Sequence, residues 1–148
     1  MICKDMKKIL FAALCLLISF GTTTFAQEQQ MSAEEKEKKM DEFVQQQVEK
    51  LETNLKLEDW QTFYADSILN HDYRALQAEL DALTEAKVAN RDLYTMASDK
   101  WAEQIYNAMH AILNEEQWAK YLKGGAAREK KARDKRKAKA DEANATLK

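Results

Sequence analysis

The sequence contains no proline, and its three glycines are Gly21, Gly124 and Gly125. From Thr22 to Lys123 neither residue occurs. β-Sandwiches and α/β sheets need frequent tight turns, and tight turns draw on those two residues. Their absence excludes both architectures and leaves an all-α chain. It also excludes glycine-rich phosphate loops, so a P-loop or a dinucleotide-binding fingerprint is ruled out. Cysteine is confined to Cys3 and Cys15. Beyond them there is no disulfide, no thiolate metal site and no cysteine nucleophile.

What is present starts with a leader-like segment. Lys4, Lys7 and Lys8 precede an apolar run from Ile9 to Phe20, and Thr24 and Ala26 supply small residues after it. That order is the pattern of a secretory signal peptide, with cleavage expected after Ala26. The apolar run is shorter than the roughly 20 residues a membrane span needs, so no span is expected after cleavage. Both cysteines fall inside this segment. The expected organisation is a signal peptide over 1–26, a helical domain over 27–123 and a basic, Ala-rich tail over 124–148. The 148 residues suffice for one domain, with 45% apolar and 32% charged side chains.

Helical periodicity runs through the middle of the chain. Ser32 and Glu35 have the spacing of a capping box that opens a helix. Met40, Phe43, Val44, Val48, Leu51 and Leu55 form its narrow apolar stripe. A second start is expected at Leu57–Gln61, with Trp60, Phe63, Tyr64 and Ile68 on one face and Leu69 opposite them. Asn70-His71-Asp72 has the composition of a corner. From Asp72 to Ile112 an apolar stripe centred on Trp101 continues, interrupted at Lys87 and Asn90. As one helix this segment would span on the order of 60 Å. The expected fold is therefore an elongated bundle of four to five helices with one long helix, unless that helix kinks or a second chain covers it. Leu113 to Gln117 opens a further helix, and Gly124-Gly125 is expected to cap and stop it.

Charge divides the chain. From Gln27 to Ala119 the net charge is −11, and from Lys120 to Lys148 it is +7. No large apolar side chain lies between Ala126 and Thr146, so the tail is expected to be a solvated, partly frayed helix. Arg128, Lys131 and Arg133 are its candidate contacts. Nucleic acid is not an expected partner, because no aromatic residue follows Tyr121 to stack on bases. Attraction of the tail to acidic membrane surfaces, to acidic client segments or to the acidic body of a dimer remains open.

No catalytic constellation is present. Ser67 and Ser98 have no histidine nearby in sequence, and the acids read as helix-face charges. His71 and His110 have no His or Cys three or four residues on, so no metal site or cofactor is expected. Val88, Met96 and Tyr106 fall well off the core stripe, and with Leu69 they are the candidate apolar contacts for a client or partner.

The informative motif is a pair. Leu57-x-x-x-Gln61 and Leu113-Asn114-x-x-Gln117 each open a helix with leucine and end in glutamine. In the second, Asn114 is the N-cap, Gln117 completes the box, and Leu113 can staple onto Trp118. In these residues the chain resembles the periplasmic Spy/CpxP family, whose mark is a twice-repeated Leu-Thr-x-x-Gln. Ile105-Tyr106-Asn107 and Glu116-Gln117 add to the likeness, which covers about Leu55 to Arg128. Glu58 and Asn114 stand where the family has threonine. The resemblance implies an antiparallel, cradle-like homodimer in the periplasm. It implies an ATP-independent chaperone of unfolded or misfolded envelope proteins, or a regulator bound to the periplasmic domain of a sensor kinase. Some exported helical relatives are metal sensors, a third option that the histidine spacing disfavours.

Overall fold

The computed structural model describes residues 32–145, apart from the side chain of Asn144. The expected signal peptide and its cleavage position lie outside the described residues. The described residues from Lys38 onward belong to one compact unit. Among the described residues the chain is all-α and has no strand. No described helix is long and apolar enough to cross a membrane.

Helix α1 spans Ala33–Leu55. It begins with the capping box read from sequence: the Glu35 amide donates to Ser32 Oγ at 3.2 Å, and the Ser32 amide donates to Glu35 Oε2 at 3.0 Å. Val44, Val48 and Leu55 turn inward from it. The helix ends without glycine. Lys56 takes a left-handed φ of 53°, and the Leu57 amide reaches back to the Glu52 carbonyl.

Helix α2 spans Asp59–Glu85 and helix α3 spans Arg91–Ile112. They pair as an antiparallel hairpin. Near the turn, Glu79 Oε2 accepts from Lys100 Nζ (2.9 Å) and from the Trp101 indole (2.7 Å). These two donors hold the Glu79 carboxyl below its ordinary range. Ala65 and Ala97 are both buried, and their small side chains let neighbouring helices approach closely.

The expected continuous helix from Asp72 to Ile112 is not formed. Its stripe is shared by two helices because Lys87 adopts a left-handed φ of 51°. The Val88 amide bonds to the Leu83 carbonyl and the Lys87 amide to the Thr84 carbonyl, which is a Schellman ending with lysine in the glycine position. The Tyr94 hydroxyl donates to the Val88 carbonyl and ties the corner, while Asn90 caps α3 by accepting from the Asp92 amide. Conversely, the expected corner at Asn70-His71-Asp72 is uninterrupted helix. Asn70 donates to Asp66 one turn back and Asp72 pairs with His71, so neither side chain competes for its own backbone.

Helix α4 spans Glu115–Tyr121 and is joined by a kinked segment, Leu122–Ala126, to helix α5, Ala127–Ala145. Gly125, at φ 125°, breaks the helical backbone here as the Gly124-Gly125 pair led one to expect, and a second helix starts directly after it. The core is Val44, Val48 and Leu55 of α1, Ala65 and Leu69 of α2, Met109 of α3, and Leu113. Leu57, Trp118 and Tyr121 pack on it from the side. Burying one such leucine or valine contributes about 1.5–3 kcal/mol.

Candidate functional site

The doubled motif meets in space. Gln61 opens α2 and Gln117 opens α4, and their side chains are 2% and 6% exposed. Gln61 Nε2 donates to Gln117 Oε1 at 2.7 Å, and Gln117 Nε2 donates to Gln61 Oε1 at 2.8 Å. Each Oε1 also accepts from the N-cap amide of its own helix, Glu58 for Gln61 and Asn114 for Gln117. Each Nε2 also donates to the end of another helix: Gln61 to the Ile112 carbonyl closing α3, and Gln117 to the Lys56 carbonyl following α1. Both amides thus make all four of their hydrogen bonds. The arrangement has a local two-fold character and joins four helix ends. Both capping boxes are complete, the one at Glu58 included.

This polar junction sets the rotation of α2. Gln61 must point inward, so the residues that share its face, Ala65, Leu69 and Asp72, are buried with it. Trp60, Phe63 and Tyr64 are then turned to solvent, 50%, 67% and 52% exposed. Trp60 stands one helical turn before the adjacent Phe63 and Tyr64, and Tyr64 touches both other rings edge to face. Trp60 and Tyr64 have ring centroids 6.1 Å apart, and Phe63 and Tyr64 5.8 Å. The Trp60 indole donates to Glu58 Oε2 at 2.7 Å, which fixes one ring of the three. No Lys or Arg lies between Lys56 and Arg74, so the rings sit in an acidic stretch with Glu58, Asp59 and Asp66. Contiguous exposed apolar surface of this kind marks interaction sites.

The candidate contacts divide. Met96 is 59% exposed, and Arg128 and Lys131 are exposed on α5. Val88 is half-buried at the α2–α3 corner. Two expectations are overturned. Leu69 is 2% exposed and belongs to the core, because the inward Gln61 carries it there. Arg133 is 8% exposed and bonded to Glu103, so neither residue is a free contact. Tyr106 is half-buried, its ring 4.9 Å from Trp118 and 5.6 Å beneath the Arg133 guanidinium.

The tail is the expected helix and is exposed over most of its length, but one side of it is tied down. It lies along α3 with Arg136 bonded through two nitrogens to Asp99, both at 2.6 Å, and Lys130 3.4 Å from Glu103. The acidic body it pairs with is its own. Burial pushes the nearby Tyr121 phenol up to about 12, with smaller contributions from Tyr73 and Glu129. Tyr73 is raised for the same first reason.

Trp118 lies in an aromatic group with His110, 4.3 Å away, and Tyr121, 5.4 Å away. The Ser67 and Ser98 hydroxyls donate to the carbonyls of Phe63 and Tyr94 one turn earlier. Among the described residues no three His, Cys, Asp or Glu side chains are grouped to hold a metal ion. Comparison with protein-family models, curated proteins and solved structures finds no match.

Proposed function

We propose that the protein is an ATP-independent chaperone that binds unfolded or misfolded envelope proteins and suppresses their aggregation in the periplasm. The observation that carries this reading is the aromatic face of α2. Trp60, Phe63 and Tyr64 stay half or more exposed while the opposite face of the same helix is sealed by a saturated amide pair. An aromatic side chain that could be buried forfeits roughly 2–3 kcal/mol by staying in water. Three such rings in one place are explained by a partner that covers them.

The chemistry suits transient capture. An open patch of three rings takes an apolar segment of any sequence, since it has no pocket shape to satisfy. The acidic residues around it favour segments that also carry Lys or Arg, through charge attraction and cation–π contact. Outward basic residues of α5, such as Arg128 and Lys131, speed encounter with acidic clients. Weak, separable contacts let the client leave and fold. The reading is supported by the resemblance in the doubled leucine–glutamine motif, whose glutamines form the junction that turns the rings outward.

The test is aggregation of two unrelated denatured proteins diluted into buffer with this chain at equal molar amounts and no nucleotide. Suppression of both is the expected result. Suppression of neither excludes general chaperoning and redirects the search to one dedicated partner, such as the periplasmic domain of a sensor kinase.

A further inference from the structure

We propose that the groove beneath α5 is a docking site for arginine- and lysine-rich helical segments of other proteins, with α5 as the occupant the chain itself supplies. This site is separate from the aromatic face of α2 and does not rest on the chaperone reading.

The groove is built from α3 and its neighbours. Asp99, Glu103 and Tyr106 stand at successive turns of α3 and form one stripe. Opposite them, running antiparallel, stand Arg136, Arg133 and Lys130 of α5, spaced three residues apart. Arg136 meets Asp99 through two hydrogen bonds, Arg133 donates from Nε and Nη2 to Glu103, and Lys130 lies near Glu103 Oε1. The Arg133 guanidinium also sits over the Tyr106 ring, as does Lys130 at 6.0 Å. Under the helix is a cavity of about 140 Å³ lined by Tyr73, Ile105, Tyr106 and Tyr121 together with Glu129 and Arg133 of α5, so the seat is part apolar and part charged.

The occupant contributes nothing apolar larger than alanine from Ala126 to Ala145. Its hold on the groove therefore comes from charge pairs and from guanidinium against a ring. That is the chemistry of a recognition site for a basic helix, because any helix with Arg three residues apart presents the same groups. Carboxylates and a tyrosine ring at fixed spacing read guanidinium in preference to ammonium, since only guanidinium bonds a carboxylate through two nitrogens. The fill is also exchangeable. The helix is joined to the body at Gly124-Gly125, where Gly125 takes φ 125° and neither glycine has another group within 4 Å of where a Cβ would stand. The joint is open, and the outer Arg136–Asp99 pair is partly exposed, so it is screened by salt, while the inner Arg133–Glu103 pair is the more buried anchor.

The test uses the full chain and a labelled peptide with the sequence of residues 127–145, followed by fluorescence anisotropy at 50 and 300 mM NaCl. The wild-type chain, its groove filled in cis, should bind the peptide weakly. The R133Q/R136Q chain, whose own helix is loosened, should bind it at least tenfold more tightly at low salt and lose most of that affinity at high salt. A peptide with glutamine at the two matching positions should not compete. Adding D99N/E103Q to the loosened chain should abolish binding. Circular dichroism establishes that each variant is folded. Should R133Q/R136Q melt below the assay temperature, R136Q alone, which removes only the outer pair, should still bind at least threefold more tightly than wild type. Absence of any gain in a folded variant overturns the proposal. So does binding unchanged by D99N/E103Q, which would reduce the effect to unspecific charge attraction.

Discussion

Gln61 and Gln117, 56 positions apart, exchange two amide hydrogen bonds of 2.7 and 2.8 Å and cap their own helices with the same oxygens. Truncating either leaves the other's amide, an N-cap amide and a helix-end carbonyl without partners in a buried place. Q61A and Q117A should each destabilise the fold by about 2–3 kcal/mol. The double variant should cost clearly less than the two added together, since the second truncation removes groups the first has orphaned. Urea unfolding of the four proteins gives the coupling, and additive costs would show that the two amides act independently.

Backbone conformation makes a paired expectation at the glycines. Gly125 lies at φ 125°, where an L side chain is strained, while both glycines have open space where a Cβ would go. G125A should lose about 1–2 kcal/mol from backbone strain alone. G124A, with no positive φ, should be neutral or gain up to about 1 kcal/mol. Thermal unfolding of the two single variants checks this, and equal effects would contradict it.

The same reasoning applies with opposite sign at the α2–α3 corner. Lys87 occupies a left-handed position at φ 51° that glycine takes without penalty. K87G should raise stability by about 0.5–1 kcal/mol. A lower melting temperature for K87G would show that the lysine side chain contributes more than its backbone costs.

Tyr121 carries an alkaline prediction. Its phenol is pushed up to about 12 in the folded chain, mainly by burial, whereas an unfolded tyrosine titrates near 10. The stability this gives is fully present below pH 10 and is lost as pH rises through about 12. Across that window the folded chain should lose about 1 kcal/mol per pH unit from this group. Denaturant unfolding at pH 9 and pH 11 should show a drop in the wild type that is smaller in Y121F. An identical drop in both would contradict the assignment.

The sequence made the helices legible, and their phases less so. The capping boxes at Ser32 and Asn114 stand as read, and so does the stripe Met40, Val44, Val48, Leu51 and Leu55, with Phe43 at its edge left 43% exposed, because caps and a single apolar face are local signals. The corner at Lys87 was hidden because it uses lysine where glycine is the usual sign. The phase of α2 was hidden for a deeper reason. Its largest apolar residues, Trp60, Phe63 and Tyr64, mark a face, but a glutamine on another face has the partner that decides which side is buried. That partner lies in another helix, and periodicity within one segment cannot find it. The docking of α5 was equally non-local: Arg133 is buried by Glu103 and Tyr106, which belong to another helix.

The most direct measurement of the central claim compares the wild-type chain with W60S/F63S/Y64S. Light scattering of two unrelated denatured clients is followed at equal molar ratio, without nucleotide, beside the melting curve of each protein. These rings lie outside the core, so the melting temperature should move by only a few degrees. The expected result is suppression of both clients by the wild type and its loss in the folded triple variant. Equal suppression by both proteins, or by neither, would contradict the assignment of client binding to the aromatic face of α2.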